Sequence, residues 1–222
     1  MGKALKALIF DCDGTLVDSA HLIIAMMQEA FRVAGVEEPR PSDVRHVVGL
    51  SLPLAIAELA PTLSEAGQRE LTEQYKRAFQ AHRALNGVGH EPLYPNVAQT
   101  LAKLDAAGHM MGIATGKSDR GLKATLSGHG IGHHFHSLQT ADRHPSKPNP
   151  AMLLAALDDL GVPPQEAVMI GDTSYDMEMA RAAGVFAVGV DWGYHTRDML
   201  EHAGAGCVAA EFAALPHLLT GT

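Results

Sequence analysis

The segment ALIFDCDGTLVD, residues 7–18, decides the fold. Its first four residues are apolar, and Asp11 follows them directly. A short apolar run that stops at a polar residue is typical of a buried strand, which we predict over residues 5–10. Asp11 and Asp13 are two residues apart, so their side chains point the same way in an extended chain. Gly14 then lets the backbone turn tightly and approach a ligand closely.

Strands and helices alternate through the C-terminal part of the chain. Apolar runs are separated there by segments of helical length and periodicity, a pattern that predicts parallel strands with helices on both faces of the sheet. The fold class that follows is α/β, a doubly wound parallel sheet. Further strands are predicted at residues 110–114, 135–138, 167–170 and 185–190, with helices at residues 97–107, 119–128, 150–160 and 175–183.

The segment between the first strand and this alternating region has a different character. Apolar residues that begin at Leu22 and Ile23 fall on one helical face, with Ser19 as the predicted N-cap. Further helical segments follow at residues 52–60 and 65–85, and no strand pattern is found. We therefore predict an all-helical cap domain inserted into an α/β core. The predicted domains are residues 17–90 for the cap, and residues 1–16 and 91–222 for the core.

Composition excludes several classes of protein. Of the 222 residues, 46% are hydrophobic and 19% are charged, as in ordinary globular domains. The formal net charge of −8 argues against a nucleic-acid partner, which attracts basic surfaces. Cys12 and Cys207 give no disulfide framework, and we find neither a signal-peptide core nor an apolar run of membrane-spanning length. These features predict a cytoplasmic protein without a membrane partner; the oligomeric state is left open.

Polar residues stand where several of the predicted strands end. Parallel sheets carry their chemistry at the carboxyl ends of the strands, so we expect these side chains to meet at one edge. Carboxylates in close proximity suit Mg²⁺, whereas a threonine hydroxyl and a lysine ammonium suit phosphate oxygens. The residues are Asp11 and Asp13, Thr115, Lys147, and Asp172 with Asp176.

These four groups, in this order, resemble the motifs of the haloacid dehalogenase-like superfamily, in the branch with a helical cap. Within that branch the chain is most similar to phosphoglycolate phosphatase-like proteins. The resemblance covers nearly the whole chain and implies a Rossmann-like core. The four motifs are DCDGTLVD at residues 11–18, IATGK at residues 113–117, SKPNP at residues 146–150 and GDTSYD at residues 171–176.

The resemblance implies a magnesium-dependent phosphatase that acts on a small phosphorylated metabolite. Asp11 would be the nucleophile and form an aspartyl-phosphate. Asp13 would protonate the leaving oxygen and then activate water. Lys147 would neutralise charge and keep Asp11 ionised.

The remaining site residues are also implied by the resemblance. Mg²⁺ would be held by Asp11, the backbone carbonyl of Asp13 and Asp172, with support from Asp176. The phosphoryl oxygens would contact a set of side-chain and backbone groups. These groups belong to Thr115, Cys12 and Gly116.

Several positions depart from the family pattern or leave a role open. Gly116 stands where relatives often have Asn, and Lys117 is either a substitute contact or a solvated lysine. In the cap, Arg45 and Gly49 belong to a loop region that often faces the substrate in this branch. A histidine-rich stretch has some metal-like spacing, but we expect surface histidines there rather than a zinc site. Its members are His129, His133, His134, His136 and His144.

Competing functions differ in what they require. A phosphosugar mutase needs a second phosphate-binding group in the cap loop, and residues 50–53 offer no basic side chain. A dehalogenase has no use for the proton donor Asp13. A phosphoacceptor signalling domain would need neither an acid/base residue nor a cap, and multiple turnovers would exclude it. Phosphoglycolate, a sugar phosphate, a nucleoside monophosphate and pyrophosphate all remain open as substrates.

Overall fold

A six-stranded sheet forms the centre of the computed structural model, which describes residues 6–86 and 91–219. The strands are β1 (Ala7–Phe10), β2 (Met110–Thr115), β3 (Ser137–Thr140), β4 (Ala167–Gly171), β5 (Phe186–Val190) and β6 (Cys207–Ala209). Their order is β3-β2-β1-β4-β5-β6, and each pair of neighbours is parallel. Consecutive strands run outward from β1 in both directions, so the order reverses beside β1. Sheets of this kind place their sites at that reversal.

Helices cover both faces of the sheet, as predicted. One face packs against α5 (Val97–Ala106), α6 (Asp119–His129) and α10 (Leu215–Leu219). The other packs against α7 (Ala151–Leu160), α8 (Ser174–Ala183) and α9 (Arg197–Ala203). The predicted doubly wound α/β fold is therefore confirmed.

The central strand β1 is buried on both of its faces. Leu8 and Phe10 belong to the core on one side of the sheet, and Ala7 and Ile9 belong to the core on the other. The Phe10 ring stacks on Phe212, with 6.0 Å between ring centroids. Packing on both sides fixes the direction in which the chain leaves β1, and Asp11 is the next residue.

Four helices lie within the predicted cap segment: α1 (Ala20–Val33), α2 (Pro41–Val47), α3 (Leu52–Leu59) and α4 (Glu65–Asn86). They enclose a separate hydrophobic cluster that includes Phe31, Val44, Ile56 and Leu71. The cap boundaries at residues 17 and 90 remain a prediction, since residues 87–90 lie outside the described part of the chain.

The two connections between cap and core run side by side. The Asp18 N–H donates to the Pro92 carbonyl at 2.8 Å, and the Tyr94 N–H donates to the Leu16 carbonyl at 3.0 Å. These backbone bonds join the chain that leaves the core to the chain that returns to it.

Among the described residues, no helix has the length and apolar character to cross a bilayer.

Some predicted elements differ from those observed. The strand predicted at residues 135–138 is β3, Ser137–Thr140, because Phe135 packs edge-on against Phe10 and is not part of the ladder. The sequence analysis did not predict α2, which begins at a proline, or the C-terminal elements α9, β6 and α10. A strand of three residues and helices of five and seven residues are too short to produce a clear periodic signal.

Candidate active site

Asp11 lies at the carboxyl end of the central strand and is almost completely buried. One carboxylate oxygen, Oδ1, accepts a hydrogen bond from the Cys12 backbone N–H at 2.6 Å. The Lys147 ammonium lies 2.9 Å from the other oxygen, Oδ2. Burial raises the pKa of Asp11 to about 6, and the Lys147 charge acts in the opposite direction.

Lys147 is a fully buried ammonium between two carboxylates. Its Nζ donates to Asp176 Oδ1 at 2.6 Å and lies 2.9 Å from Asp11 Oδ2. Burial acts to lower the pKa of Lys147, but these carboxylates outweigh it and the pKa is raised. The lysine is therefore charged, and the predicted proximity of Lys147 to Asp11 is found.

Asp172 and Asp176 are positioned by the turn from β4 into α8. Asp176 Oδ2 accepts hydrogen bonds from the backbone N–H of Thr173 at 3.1 Å and from its hydroxyl at 2.7 Å. Asp172 accepts one from the Thr15 hydroxyl at 2.8 Å and one from the Tyr194 N–H at 2.9 Å. Each of these two carboxylates is therefore oriented by donors from two parts of the chain.

Glycines make room for these carboxylates. A Cβ at Gly171 would lie 2.4 Å from Asp176 Cγ, and a Cβ at Gly14 would lie 2.1 Å from Asp172 Oδ2. Gly14 also has a φ of 80°, which L side chains rarely adopt. The predicted tight turn at Gly14 is therefore found, and the backbone at this turn closely approaches the Asp172 carboxylate.

Three of these carboxylates form a cluster suited to a divalent cation. Asp11, Asp172 and Asp176 each offer an oxygen, and the three oxygens lie within 4.8 Å of one another. Only one buried ammonium, Lys147, is in contact with this cluster among the described residues. Burial, with the charges of Asp11 and Asp176, also raises the pKa of Asp172 well above its ordinary value. A bound cation would supply the missing positive charge, so these residues fit a divalent metal.

Asp13 faces away from this cluster, towards a second set of polar groups. Its Oδ1 accepts from the Ser19 hydroxyl at 2.5 Å and from the Lys117 ammonium at 2.6 Å. Since the Ser19 hydrogen is used on Asp13, the Tyr194 hydroxyl, 3.0 Å away, donates to Ser19. Asp13 is thus held through one oxygen, and the residue lines the cavity described below.

Two sequence-based interpretations are corrected here. Ser19 occupies the N-cap position of α1, but its side chain makes no cap hydrogen bond, because the hydroxyl is bonded to Asp13 instead. Lys117 is not a solvated lysine, since its side chain is 9% exposed. Burial acts to lower the pKa of Lys117, and the Asp13 carboxylate outweighs it, so that the pKa is raised. The sequence signal for Lys117 was its place as the last residue of the second motif.

Thr115 and Gly116 lie at the end of β2, beside Asp11 and Asp13 on the wall of a common cavity. A Cβ at Gly116 would lie 2.6 Å from the Leu50 carbonyl oxygen and 2.7 Å from that of Gly49. The cap backbone therefore occupies the space that a side chain at Gly116 would need. This close approach leaves no room for an asparagine or any other side chain at Gly116 with the cap in this position.

Further hydrogen bonds attach the end of α2 and the loop that follows it to the core. The Ser51 N–H donates to Ser146 Oγ at 2.7 Å, and Ser146 is the first residue of the third motif. The His46 carbonyl accepts from the Tyr175 hydroxyl at 3.2 Å and faces His195 Nε2 at 3.1 Å. His195 Nδ1 accepts a hydrogen bond from the Ser174 N–H, so the ring hydrogen is on Nε2. Nε2–H therefore donates to the His46 carbonyl. The cap is thereby seated on the start of α8.

Other predicted contact residues have different surroundings. Gly49 lines the cavity, whereas Arg45 is exposed and is not among the described lining residues, so its contact with substrate remains a prediction. The Cys12 side chain lies in the hydrophobic core, where burial raises the pKa of its thiol, and only its backbone N–H points to the site.

The histidine-rich stretch does not converge on a metal site. His129 contacts the Glu91 carbonyl, His134 contacts Asp105, and His144 contacts Gln139. The expectation of surface histidines is wrong for His134, which is buried. Within the described residues, the single cluster with three metal-ligating side chains is that of Asp11, Asp172 and Asp176.

The close approach at Gly171 gives a direct test of this geometry. We expect Gly171→Ala to displace the Asp176 carboxylate, to destabilise the protein by about 1–3 kcal/mol through overpacking, and to lower kcat at least about tenfold. Gly132→Ala is the control, since a Cβ there meets only Leu126 Cβ at 3.5 Å. Thermal unfolding and turnover of a phosphate ester measure both effects. Equal unfolding temperatures and equal kcat in Gly171→Ala and Gly132→Ala would contradict the close packing of Gly171 against Asp176.

Comparison with known proteins identifies the family of the chain. A family model of haloacid dehalogenase-like hydrolases matches residues 8–190. A "Probable phosphatase IndB" of Dickeya dadantii is 34% identical over 198 residues, which cover 88% of this chain and 85% of that protein. A phosphoglycolate phosphatase of Rhodospirillum rubrum is 33% identical over 218 residues, or 95% of this chain and 89% of the relative.

A solved structure supports the fold. The crystal structure of a predicted phosphatase from Clostridium acetobutylicum has a TM-score of 0.89 and covers 99% of this chain and 100% of its own. Its sequence identity is 22%, so this likeness concerns the fold alone. The motif-based resemblance is confirmed by the family model and the relatives. The chain belongs to the haloacid dehalogenase-like hydrolases and is similar to their phosphoglycolate phosphatase-like members.

Proposed function

We propose that this enzyme is a magnesium-dependent phosphatase that hydrolyses a small phosphate monoester through an aspartyl-phosphate on Asp11. The observation that carries the proposal is the position of Asp11: it lies on the cavity wall, beside the buried Lys147 and the carboxylates of the candidate metal site. Phosphatases are among the relatives, which supports the same chemistry. Phosphoglycolate, named in several relatives, is the first compound to assay.

In the first step, an Asp11 carboxylate oxygen forms a bond to phosphorus while the bond from phosphorus to the ester oxygen breaks. Asp13, which carries a proton on Oδ2 when the ester binds, gives that proton to the leaving alkoxide oxygen. Asp13 suits this role because its Oδ1 is already held by Ser19 and Lys117, which leaves Oδ2 for the leaving group. Thr115 lines the same cavity and offers a hydroxyl to the phosphoryl oxygens.

In the second step, water attacks the phosphorus of the aspartyl-phosphate and loses a proton to Asp13, which releases phosphate and restores Asp11. The Lys147 ammonium remains beside Asp11 throughout and balances negative charge there. Phosphoryl transfer depends mainly on positioning and electrostatic stabilisation, and these buried charges supply both.

A magnesium ion would be held by Asp11 and Asp172, with the Asp13 backbone carbonyl and support from Asp176. When bound, it would neutralise charge on the phosphoryl oxygens. Asp176 fits a supporting role, because both of its oxygens already accept hydrogen bonds from Lys147 and Thr173.

The nucleophile assignment predicts the behaviour of Asp11→Asn. We expect this variant to fold but to lose at least about a thousandfold in kcat, because an amide cannot serve as the covalent nucleophile. Asp43→Asn, at an exposed position of α2, should retain wild-type kcat. Steady-state turnover of a generic phosphate ester measures the effect. Activity of Asp11→Asn within about tenfold of wild type would refute the assignment.

The metal site predicts a stability effect that is independent of turnover. Mg²⁺ should raise the thermal midpoint of the wild-type protein, because a ligand that binds the folded state stabilises it. Asp172→Asn should abolish most of that increase. Chelation should abolish phosphatase activity, and Mg²⁺ should restore it, whereas Ca²⁺ should inhibit. Full activity in excess chelator, or an equal midpoint increase in Asp172→Asn, would rule out this site.

The ion pair to Asp13 predicts a role for Lys117. Lys117→Met should lower kcat at least about tenfold, because Asp13 loses the charged partner that orients it. Lys123→Met, at an exposed position of α6, the helix that follows Lys117, is the control. Lys117→Met should unfold at a lower temperature than Lys123→Met, because it leaves the Asp13 carboxylate unpaired, so kcat is compared at a temperature at which both variants are folded. Wild-type kcat in Lys117→Met would show that the pair is dispensable.

A further inference from the structure

A cavity of about 500 Å³ lies between the cap and the core, directly against the reacting groups. Asp11, Asp13, Thr115 and Lys117 line its core end. A phosphoryl group bound by Asp11 and the two-carbon body of glycolate would fill only the part nearest these residues. Cavities of several hundred Å³ are the size that encloses much larger organic ligands.

The cap side of this cavity is formed largely by apolar side chains. They come from α1, α2 and α4 and from the loop after α2, and several also belong to the buried hydrophobic cluster of the cap. A carboxylate against this apolar wall would lose its hydration there, since the cations of the lining, among them Arg83 and Lys117, lie in other parts of the cavity. An apolar group would gain by leaving water. The lining residues are Ile23, Met27, Val44, Val48, Tyr75 and Phe79.

Aromatic and cationic groups of α4 line another part of the cavity. The rings of Tyr75 and Phe79 have centroids 5.6 Å apart, and both residues line the cavity. The Arg83 guanidinium carbon lies 4.9 Å from the Phe79 ring centroid, and only 14% of the Arg83 side chain is exposed. Aromatic faces and a guanidinium plane are surfaces on which a planar ring stacks well.

The cavity has this volume while the cap is seated on the core. The Ser51 to Ser146 hydrogen bond and the approach of Gly116 to the Leu50 carbonyl hold the two parts together beside the cavity. Closure of the cap therefore leaves the apolar space in place above the reacting groups. Exposed polar side chains, among them Lys76, Gln80 and Arg120, contribute to the remaining lining.

We propose that the preferred substrate is a phosphate monoester whose alcohol carries an apolar, ring-sized group, which packs against Tyr75 and Phe79 beside Arg83. This inference rests on the proposed phosphatase function and specifies the chemical class of its substrate. It places phosphoglycolate, which has a charged carboxylate and no apolar group, among the poorer substrates.

Three esters test the preference: ethyl phosphate, 2-phenylethyl phosphate and 2-phosphoglycolate. The first two have alkoxide leaving groups of similar basicity, so their difference reports contacts with the cap. We expect kcat/KM for the phenylethyl ester to exceed both other values at least tenfold, which corresponds to about 1.4 kcal/mol. A higher kcat/KM for phosphoglycolate, or equal values for the two alkyl esters, would overturn the inference.

Variants of α4 locate the contact. Phe79→Ala should lower the ratio of kcat/KM for phenylethyl over ethyl phosphate at least about fivefold, and Arg83→Met should lower it about threefold. Arg77→Met is the matched control on the same helix, since the Arg77 side chain is 66% exposed. It should leave the ratio unchanged. Unchanged ratios in Phe79→Ala and Arg83→Met would exclude this region of the cavity as the ring site.

Binding of inert phosphonates separates this inference from the proposed function. By calorimetry, 3-phenylpropylphosphonate should bind wild-type enzyme at least tenfold more tightly than propylphosphonate. If this preference is found but no ester is turned over, the phosphatase proposal fails and the ligand class stands. If esters are turned over without any preference for the ring, the phosphatase proposal stands and this inference fails.

Discussion

The buried ammonium of Lys147 between Asp11 and Asp176 is the interaction on which the site depends. An unpaired charge in the interior would cost far more than a paired one, so the lysine and its two carboxylates are needed together. One ammonium does not balance three clustered carboxylates, and burial together with the neighbouring carboxylate charges raises the pKa values of Asp11 and Asp172. The imbalance is what makes the cluster receptive to a divalent cation.

Backbone geometry holds these charges in place. Asp11 follows a strand packed on both faces, and Asp176 is fixed by the turn that starts α8. Gly14 and Gly171 leave the space into which the carboxylates of Asp172 and Asp176 fit. The side chains of the cluster thus come from separate strands and loops, but each is fixed by local structure at the same edge of the sheet.

The sequence predicted the parts of the molecule that have local signals. Apolar runs that stop at polar residues located β1, β2 and β4, and the motifs located Asp11, Thr115, Lys147 and Asp172. It could not predict contacts between residues far apart in the chain. The bond from Lys117 to Asp13 is of this kind, since the two residues are 104 positions apart. Ser19 is only six residues from Asp13, but the sequence pattern indicated a helix cap for its hydroxyl instead. The sequence also did not show that the cap loop leaves no space for a side chain at Gly116.

The cap and the core divide the work of the enzyme in this account: the core supplies the reacting charges and the cap supplies the apolar surface above them. The central claim is that the phosphoryl group passes through Asp11. Rapid acid quench during turnover, followed by borohydride reduction and peptide mass spectrometry, tests it most directly. We predict a phosphorylated peptide containing residue 11, and conversion of that aspartate to homoserine on reduction. Phosphate release during turnover without any modification at Asp11 would contradict the account.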